Sequence, residues 1–128
     1  MPAWNDYKAE AKSRGALAQE LYMVISTPAG DPAKVKDTLP DHLAYQAEQE
    51  ARGALFLAGP LSDESGDEMQ GKGLIIYRAA SLEDARAITE ADPMHTSGAR
   101  SFEIRRWLVN EGAMTLSINL AAQSVGFK

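Results

Sequence analysis

Two histidines are the residues of this chain best suited to acid–base chemistry near neutral pH, because an imidazole titrates close to that pH. His42 falls in a predicted helix, where it forms a polar stripe with Gln46 and Gln49 at positions i, i+4 and i+7. A carboxylate bonded to one ring nitrogen would fix the tautomer and raise the basicity of the other nitrogen, as a general base requires. The alternative is an ordinary histidine at the surface or at the edge of the core.

Asp92 is a carboxylate in an unusual position. It is predicted to end a helix, where the helix dipole disfavours a negative charge by about 0.3–1 kcal/mol, and it precedes Pro93. The alternative role is a cap on the turn that follows, which is a common use of Asp-Pro. His95, three residues later, is predicted to lie in a loop. No spacing supports a metal site in a chain without cysteine, and no other cofactor is expected.

Ser26 and Arg106 are the candidates for binding a substrate. Ser26 directly follows a predicted strand and could line the mouth of a cleft, although serine at such a place is usually a turn residue. Arg105 and Arg106 could each bind a ligand carboxylate through two parallel hydrogen bonds. Because side chains alternate along a strand, at least one of the two points outward.

Composition narrows the class of protein. The 128 residues carry a net charge of -5 without a cluster of Lys and Arg, which argues against a nucleic-acid partner. No apolar run approaches the roughly 20 residues of a membrane span, and the charged N-terminus does not resemble a signal for export. The absence of cysteine fits a reducing compartment. We therefore expect a single globular, cytoplasmic domain with a small-molecule ligand.

Periodicity and turn residues predict the elements that position these side chains. Helices are expected over residues 3–18, from Pro40 to Gly53 and from Ser81 to Asp92, and strands over residues 21–25, 54–58, 73–77, 101–109 and 114–120. Pro40 is placed in the first turn of its helix because the residue before a proline avoids the helical region. The face of that helix expected to meet the core carries Leu39, Leu43, Ala44, Ala47 and Ala51. Residues 61–72 are predicted to form a mobile loop.

The central order of strand, helix, strand, strand, helix, strand predicts an α+β fold. It is a ferredoxin-like βαββαβ antiparallel sheet with two helices on one face, an extra N-terminal helix and an extra C-terminal strand. We place an N-terminal helical extension at 1–20, the central domain at 21–111 and a C-terminal strand extension at 112–128. The strands are too apolar for the other sheet face to meet water. A homodimer through that open face is therefore expected.

Several short motifs, taken together in order, resemble the YciI-related (YCII) domain family. They are His-Leu-x-Tyr at 42–45, Gly-Ala-Leu-Phe-Leu-Ala-Gly-Pro at 53–60, Gly73, Ser-Leu-Glu-Asp-Ala at 81–85, Asp92-Pro93 and Ile-Arg-Arg-Trp at 104–107. The resemblance covers roughly residues 21–111. It implies a dimeric α+β barrel with a cleft in which His42 and Asp92 form a catalytic pair. Relatives by fold include isomerases and small monooxygenases, and one branch is described as dehydrochlorinating a chlorinated hydroquinone.

Two hypotheses about function follow. The first is a cofactor-independent enzyme in which His42, oriented by Asp92, acts as a general base on a small cyclic or aromatic metabolite, giving isomerisation or elimination. The second is a non-catalytic dimeric module that binds a small ligand or a protein partner. The N-terminal extension and the strand-rich tail after Trp107 depart from the family pattern, so the substrates of relatives do not transfer directly.

Overall fold

The computed structural model describes residues 1–127. In chain order the elements are α1 (Trp4–Ser13), β1 (Gln19–Pro28), α2 (Pro32–Ala51), β2 (Leu55–Pro60), β3 (Gly73–Tyr77), α3 (Leu82–Glu90), α4 (Pro93–Thr96), β4 (Arg100–Val109), β5 (Leu116–Asn119) and β6 (Ser124–Phe127). The chain divides into two compact units, and each is described by itself. One unit comprises residues 20–107, and the other comprises the two terminal segments, 1–19 and 108–128.

A four-stranded sheet in the order β2-β3-β1-β4 forms the framework of the larger unit. β3 pairs antiparallel with both β1 and β2, and Tyr22 lies opposite Tyr77 in the register of β1 and β3. This strand order is the one that a βαββαβ chain adopts in the ferredoxin-like arrangement. The predicted fold class is confirmed.

The core of this unit lies between one face of the sheet and helices α2 and α3. Its buried cluster consists of Tyr22, Val24, Ile75, Tyr77 and Ala85, surrounded by half-buried apolar side chains of β2, α3 and β4. Alternation along the strands directs these side chains to a single face. α3 is capped by Ser81, the residue at which the helix was predicted to start, and the Ser81 hydroxyl accepts the Asp84 N–H at 3.1 Å.

The helix that carries His42 begins eight residues earlier than predicted. Asp31 caps α2 by accepting the Ala33 N–H at 2.9 Å, and Pro32 occupies the first turn, where its missing N–H has no partner to lose. Pro40 therefore lies inside a helix of 20 residues. The expectation that the helix starts near Pro40 was wrong, since a stronger Asp-Pro start lay upstream and the helix tolerates the second proline.

The face of α2 that meets the core was also assigned wrongly. Leu39 and Leu43 are 44% and 57% exposed, whereas Gln46 and Gln49 are buried. The buried amides are hydrogen-bonded: Gln46 Nε2 donates to the Tyr77 hydroxyl at 3.2 Å, and Gln49 Oε1 accepts from Arg52 Nε at 2.6 Å. Each amide thus has at least one partner, although Gln46 Oε1 is buried and has none among residues 1–127. These hydrogen bonds allow the polar stripe to be buried where an apolar stripe was expected.

Two further segments differ from the prediction. Residues 93–96, predicted as part of a loop, form the short helix α4. In the C-terminal tail, β5 pairs with β6 in a separate antiparallel hairpin, and every residue of β5 is exposed rather than half-exposed. The period of two was correct for β5, but the short second strand, β6, was missed because four residues carry little periodic signal.

The sheet face opposite the core is partly buried in the single chain. By alternation it carries Leu21, Met23, Ile25, Leu74 and Ile76. Leu21 and Ile76 are 1% and 3% exposed, and the other three are half-buried. The face is therefore not bare along its whole length. The homodimer expected from this face stays a prediction.

Candidate active site

α4 brings Asp92 to the centre of the site. Asp92 has an extended backbone and is the N-cap of α4, where its Oδ1 accepts the Met94 N–H at 2.9 Å and Pro93 occupies the first turn. An aspartate followed by proline is a favoured start for a helix. α4 packs against α2, and this contact carries Asp92 towards the helix that holds His42.

His42 and Asp92 are in direct contact. His42 Nδ1 lies 2.9 Å from Asp92 Oδ1 and 2.8 Å from Oδ2, so the ring nitrogen faces both carboxylate oxygens. The side chain of His42 is 20% exposed, and that of Asp92 is 0% exposed. A carboxylate accepts the proton on Nδ1, which leaves the lone pair of the neutral ring on Nε2. Nε2 makes no hydrogen bond to any residue from 1 to 127.

The surroundings of Asp92 favour the ionised carboxylate. Burial acts to raise its pKa, but the hydrogen bond from His42, the Met94 N–H and the nearby imidazoles outweigh burial and lower the pKa from its ordinary value. Gln46 Nε2 also points at Asp92 Oδ2, at 3.3 Å. The Asp92 carboxylate is thus both the cap on α4 and the partner of His42. The two roles that the sequence left open for Asp92 occur together.

Ser26 and His95 form a second hydrogen-bonded pair. His95 Nδ1 lies 2.7 Å from the Thr89 carbonyl oxygen, which can only accept, so Nδ1 carries the proton. His95 Nε2 is then the acceptor for the Ser26 hydroxyl, 2.9 Å away. Burial lowers the pKa of His95 more than the Thr89 carbonyl and the Asp92 charge raise it, which favours the neutral ring. His95 therefore bonds Ser26 rather than competing for Asp92.

A cavity of about 440 Å³ connects the two pairs. Its polar lining consists of Ser26, His42, Gln46, Lys72 and Arg100. The rest of the wall is mainly apolar and comes from α2, β2, β3, α4 and two residues of the loop between β2 and β3, Met69 and Gly71. A mainly apolar wall with a few polar groups is typical of a small-molecule site, and the volume lies within the usual range of about 300–1,000 Å³.

Arg100, rather than Arg106, is the arginine of this cavity. Arg100 Nη1 donates to the Ser26 carbonyl at 3.3 Å and to the Gly71 carbonyl, which joins β1 to the loop before β3. Arg106 is exposed, does not line the cavity, and lies six residues further along β4, roughly 20 Å at about 3.3 Å per residue. Burial lowers the pKa of Arg100 while Asp92 acts to raise it, and a guanidinium remains charged in either case.

Residues 1–127 contain no group of three His, Asp or Glu side chains arranged to bind a metal ion. They also contain no helix long and apolar enough to cross a membrane.

Comparison with known proteins identifies the family. Residues 20–108 match the YCII-related domain. The chain belongs to this family. The family resemblance drawn from the motifs at 42–107 is thereby confirmed. No curated protein is significantly similar to the chain.

Among solved structures, the fold of this YCII-related protein is similar to that of 5-chloro-2-hydroxyhydroquinone dehydrochlorinase (TftG) from Burkholderia phenoliruptrix AC1100 in complex with 2,5-dihydroxybenzoquinone. The TM-score is 0.55 and the identity 22%, over 68% of this chain and 92% of that chain. At this level of identity the similarity supports the fold and carries no assignment of substrate.

Of the five polar side chains of the cavity, the sequence singled out Ser26 and His42 as candidates for the site. It placed Gln46 only in the polar stripe of the helix, and it missed Lys72 and Arg100. The signal for Arg100 was present, because the alternation of Phe102 and Ile104 extends back to residue 100 and places its side chain on the inner face. The predicted strand began at Ser101, one residue too late, so Arg100 was assigned to the preceding loop. Lys72 lay in a predicted loop and carried no periodic signal.

Proposed function

We propose that this protein is a cofactor-independent enzyme in which His42, held by Asp92, acts as a general base on a small cyclic or aromatic ligand. The observation that carries the proposal is the contact of His42 Nδ1 with both oxygens of Asp92, on the wall of a cavity large enough for one ring. A base must present an unprotonated nitrogen near the substrate, and this arrangement leaves the lone pair on Nε2.

The reaction begins when His42 Nε2 takes a proton from a carbon of the ligand that is acidified by a neighbouring carbonyl or hydroxyl group. The C–H electron pair stays on the ligand as an enolate, and the imidazole becomes an imidazolium. Asp92 remains ionised and stabilises that cation through the Nδ1 hydrogen bond, while keeping the ring in one orientation. Return of the proton to another carbon completes an isomerisation, and departure of a leaving group from the adjacent carbon completes an elimination.

The walls of the cavity support a small ring as the ligand. Leu55, Ala58, Pro60 and Ile75 supply apolar contact, and Met94 of α4 closes the wall. The molecule bound to TftG in its complex is a hydroxylated quinone, which is a ring of this size. Ser26, whose hydroxyl proton is donated to His95, offers the lone pairs of its Oγ to a hydroxyl group of the ligand, and we assign it to substrate binding.

The test is base-catalysed exchange of carbon-bound hydrogen, which requires no knowledge of the product. A panel of cyclic diketones, hydroquinones and hydroxybenzoquinones is incubated with the protein in D₂O, and loss of each C–H signal is followed by proton NMR. The variant is His42→Gln, which keeps a donor for Asp92 and loses the base. We expect exchange about 10²–10⁴-fold slower in this variant, the usual contribution of a general base.

The matched control is Asp41→Ala, an exposed neighbour on α2 that does not line the cavity. It is expected to exchange at the wild-type rate. Equal exchange in wild type and His42→Gln, for a ligand that binds the cavity, would contradict the proposal. Binding without exchange across the whole panel would instead support the second hypothesis, a non-catalytic ligand-binding module.

A further inference from the structure

We infer that the part of the cavity formed by Arg100, Lys72 and Ser26 binds a negatively charged oxygen of the ligand, so that the ligands of this protein are small organic anions. The oxygen belongs to a carboxylate or to an ionised phenol or enol, which share this chemistry. The inference rests on the proposed function only in placing that ligand in the cavity beside His42.

The distribution of charge is the first reason. The chain as a whole is acidic, with 18 acidic and 13 basic residues. The cavity wall has the opposite balance: Lys72 and Arg100 line it, and among residues 1–127 no Asp or Glu does. The nearest carboxylate, Asp92, is 0% exposed and already accepts from His42 and Met94. An anion entering this cavity therefore meets two cations and no exposed negative group.

The contacts of Arg100 are the second reason. Both of its hydrogen bonds run from Nη1 to main-chain carbonyls, those of Ser26 and Gly71. These bonds fix the plane of the guanidinium, and within residues 1–127 Nε and Nη2 make no hydrogen bond. Arg100 also has no carboxylate within ion-pair distance in that part of the chain. A half-buried guanidinium with unused donors is the usual partner of a carboxylate or another oxyanion.

Ser26 narrows the class of ligand further. Its hydroxyl proton is used in the bond to His95, so its Oγ can accept but not donate. An anionic oxygen therefore binds the guanidinium, and a hydroxyl group of the same ligand can donate to Ser26. Lys72, which follows Gly71 and is exposed, adds positive charge beside the same point.

The experiment measures affinity and does not depend on turnover. Wild type, Arg100→Gln and Arg105→Gln are titrated by calorimetry with benzoate and with benzamide, its neutral analogue of the same shape, and with 4-nitrophenolate and nitrobenzene as a second pair. We expect wild type to bind at least one anion about tenfold or more tightly than its neutral analogue. Arg100→Gln is expected to remove that preference, because a charge-assisted hydrogen bond contributes about 1.5–3 kcal/mol, which is about a 10- to 150-fold change in affinity.

The controls separate recognition of charge from support of the fold. Arg105→Gln, an exposed arginine of the same strand, is expected to leave both affinities unchanged. Arg100→Lys keeps the charge and is expected to keep part of the preference. Lys72→Gln makes no change to the bonds of the fold, and is expected to weaken binding of the anion about two- to fivefold, as removal of an exposed charge does. If Arg100→Gln does not fold, Lys72→Gln still tests whether positive charge in this part of the cavity binds the anion.

Three results would overturn the inference. The first is equal affinity of wild type for each anion and its neutral analogue, or no binding of either anion. The second is an equal loss of anion and neutral analogue in Arg100→Gln, as expected if Arg100 only joins β1 to the loop. The third is loss of the preference in Arg106→Gln instead.

Preference for benzoate or for 4-nitrophenolate identifies which anionic oxygen is recognised. The two proposals can fail separately. If His42→Gln exchanges hydrogen at the wild-type rate while wild type still prefers anions, the general base is refuted and the anion site is retained.

Discussion

Asp92 combines two roles that usually belong to different residues. Oδ1 accepts the first N–H of α4, and both oxygens accept from the imidazole of His42. The two roles share one requirement, a carboxylate that stays ionised while it is buried. Hydrogen bonds from neighbouring N–H groups stabilise the ionised carboxylate, and the bond from Met94 also satisfies a main-chain N–H of α4.

Replacement of this carboxylate tests its charge directly. Asp92→Asn keeps an oxygen for the Met94 N–H and loses the charge, so we expect the free energy of unfolding near pH 7 to fall by about 1–3 kcal/mol. The pKa of Asp92 lies below its ordinary value in the folded protein, so its contribution to stability is present above the unfolded pKa and is lost as the pH falls through the folded pKa. The deficit of the variant should therefore shrink towards about pH 3, as measured by urea unfolding at both pH values.

Asp41→Asn, on the exposed side of α2, is the control for this titration and should show no deficit at either pH. A deficit in Asp92→Asn that stays constant from neutral to acidic pH would mean that the carboxylate is not ionised in the folded protein.

The contact between His42 and Asp92 could be suspected from the sequence only through the resemblance to a family. Local rules placed Asp92 after a helix and left its partner open, because fifty residues separate the two side chains. Their meeting depends on α4, a helix of four residues that is too short to have a periodic signal. The Asp-Pro start of α4 was nevertheless visible, and it is the same kind of start as Asp31-Pro32 in α2.

At the scale of elements, Pro40 is the anomaly of the fold. It lies in the interior of α2, where its missing N–H leaves the carbonyl four residues earlier without the usual helical donor. Pro40→Ala is expected to raise the free energy of unfolding by about 1–2 kcal/mol, less than the full cost of an interior proline because alanine also makes the unfolded chain more flexible. Urea unfolding measures the change.

Pro32→Ala provides the matched comparison within the same helix. Because Pro32 lies in the first turn, its replacement should change the free energy of unfolding by no more than about 0.5 kcal/mol. Equal effects of the two substitutions would show that the position of a proline in α2 does not matter for stability.

The sequence predicted the types of the central elements well and the orientation of α2 badly. β1, β2 and β3 each have an apolar run that propensity identifies, and β4 has alternating apolar residues that periodicity identifies. For α2 the apolar period pointed at Leu39 and Leu43, which are exposed and line the cavity. Hydrogen bonds of Gln46 and Gln49 decide the orientation, and such bonds between distant segments leave no periodic pattern in the sequence.

At the scale of the whole molecule, we predict a homodimer through the sheet face opposite the core. Met23, Ile25 and Leu74 lie on that face and are only half-buried in the single chain. Ile25→Asp should convert the dimer into a monomer, because a buried unpaired charge opposes association. Light scattering after size-exclusion chromatography measures the mass of each species.

Leu43→Asp makes the same chemical change on the exposed side of α2, where Leu43 is 57% exposed, and should leave the dimer intact. A wild-type monomer at every concentration would refute the dimer. Dissociation by Leu43→Asp alone would move the interface to α2.

The double role of Asp92 also bears on how related sequences should be read. Selection for a folded chain alone would keep an aspartate before α4 long after any activity had been lost, because the helix needs its cap. At position 42 the fold needs only a hydrogen-bond donor for that carboxylate, which glutamine or asparagine supplies. An aspartate at 92 is thus a poor marker of activity in a relative. Under the proposed function a histidine at 42 is the informative residue, since a general base at that position requires an imidazole.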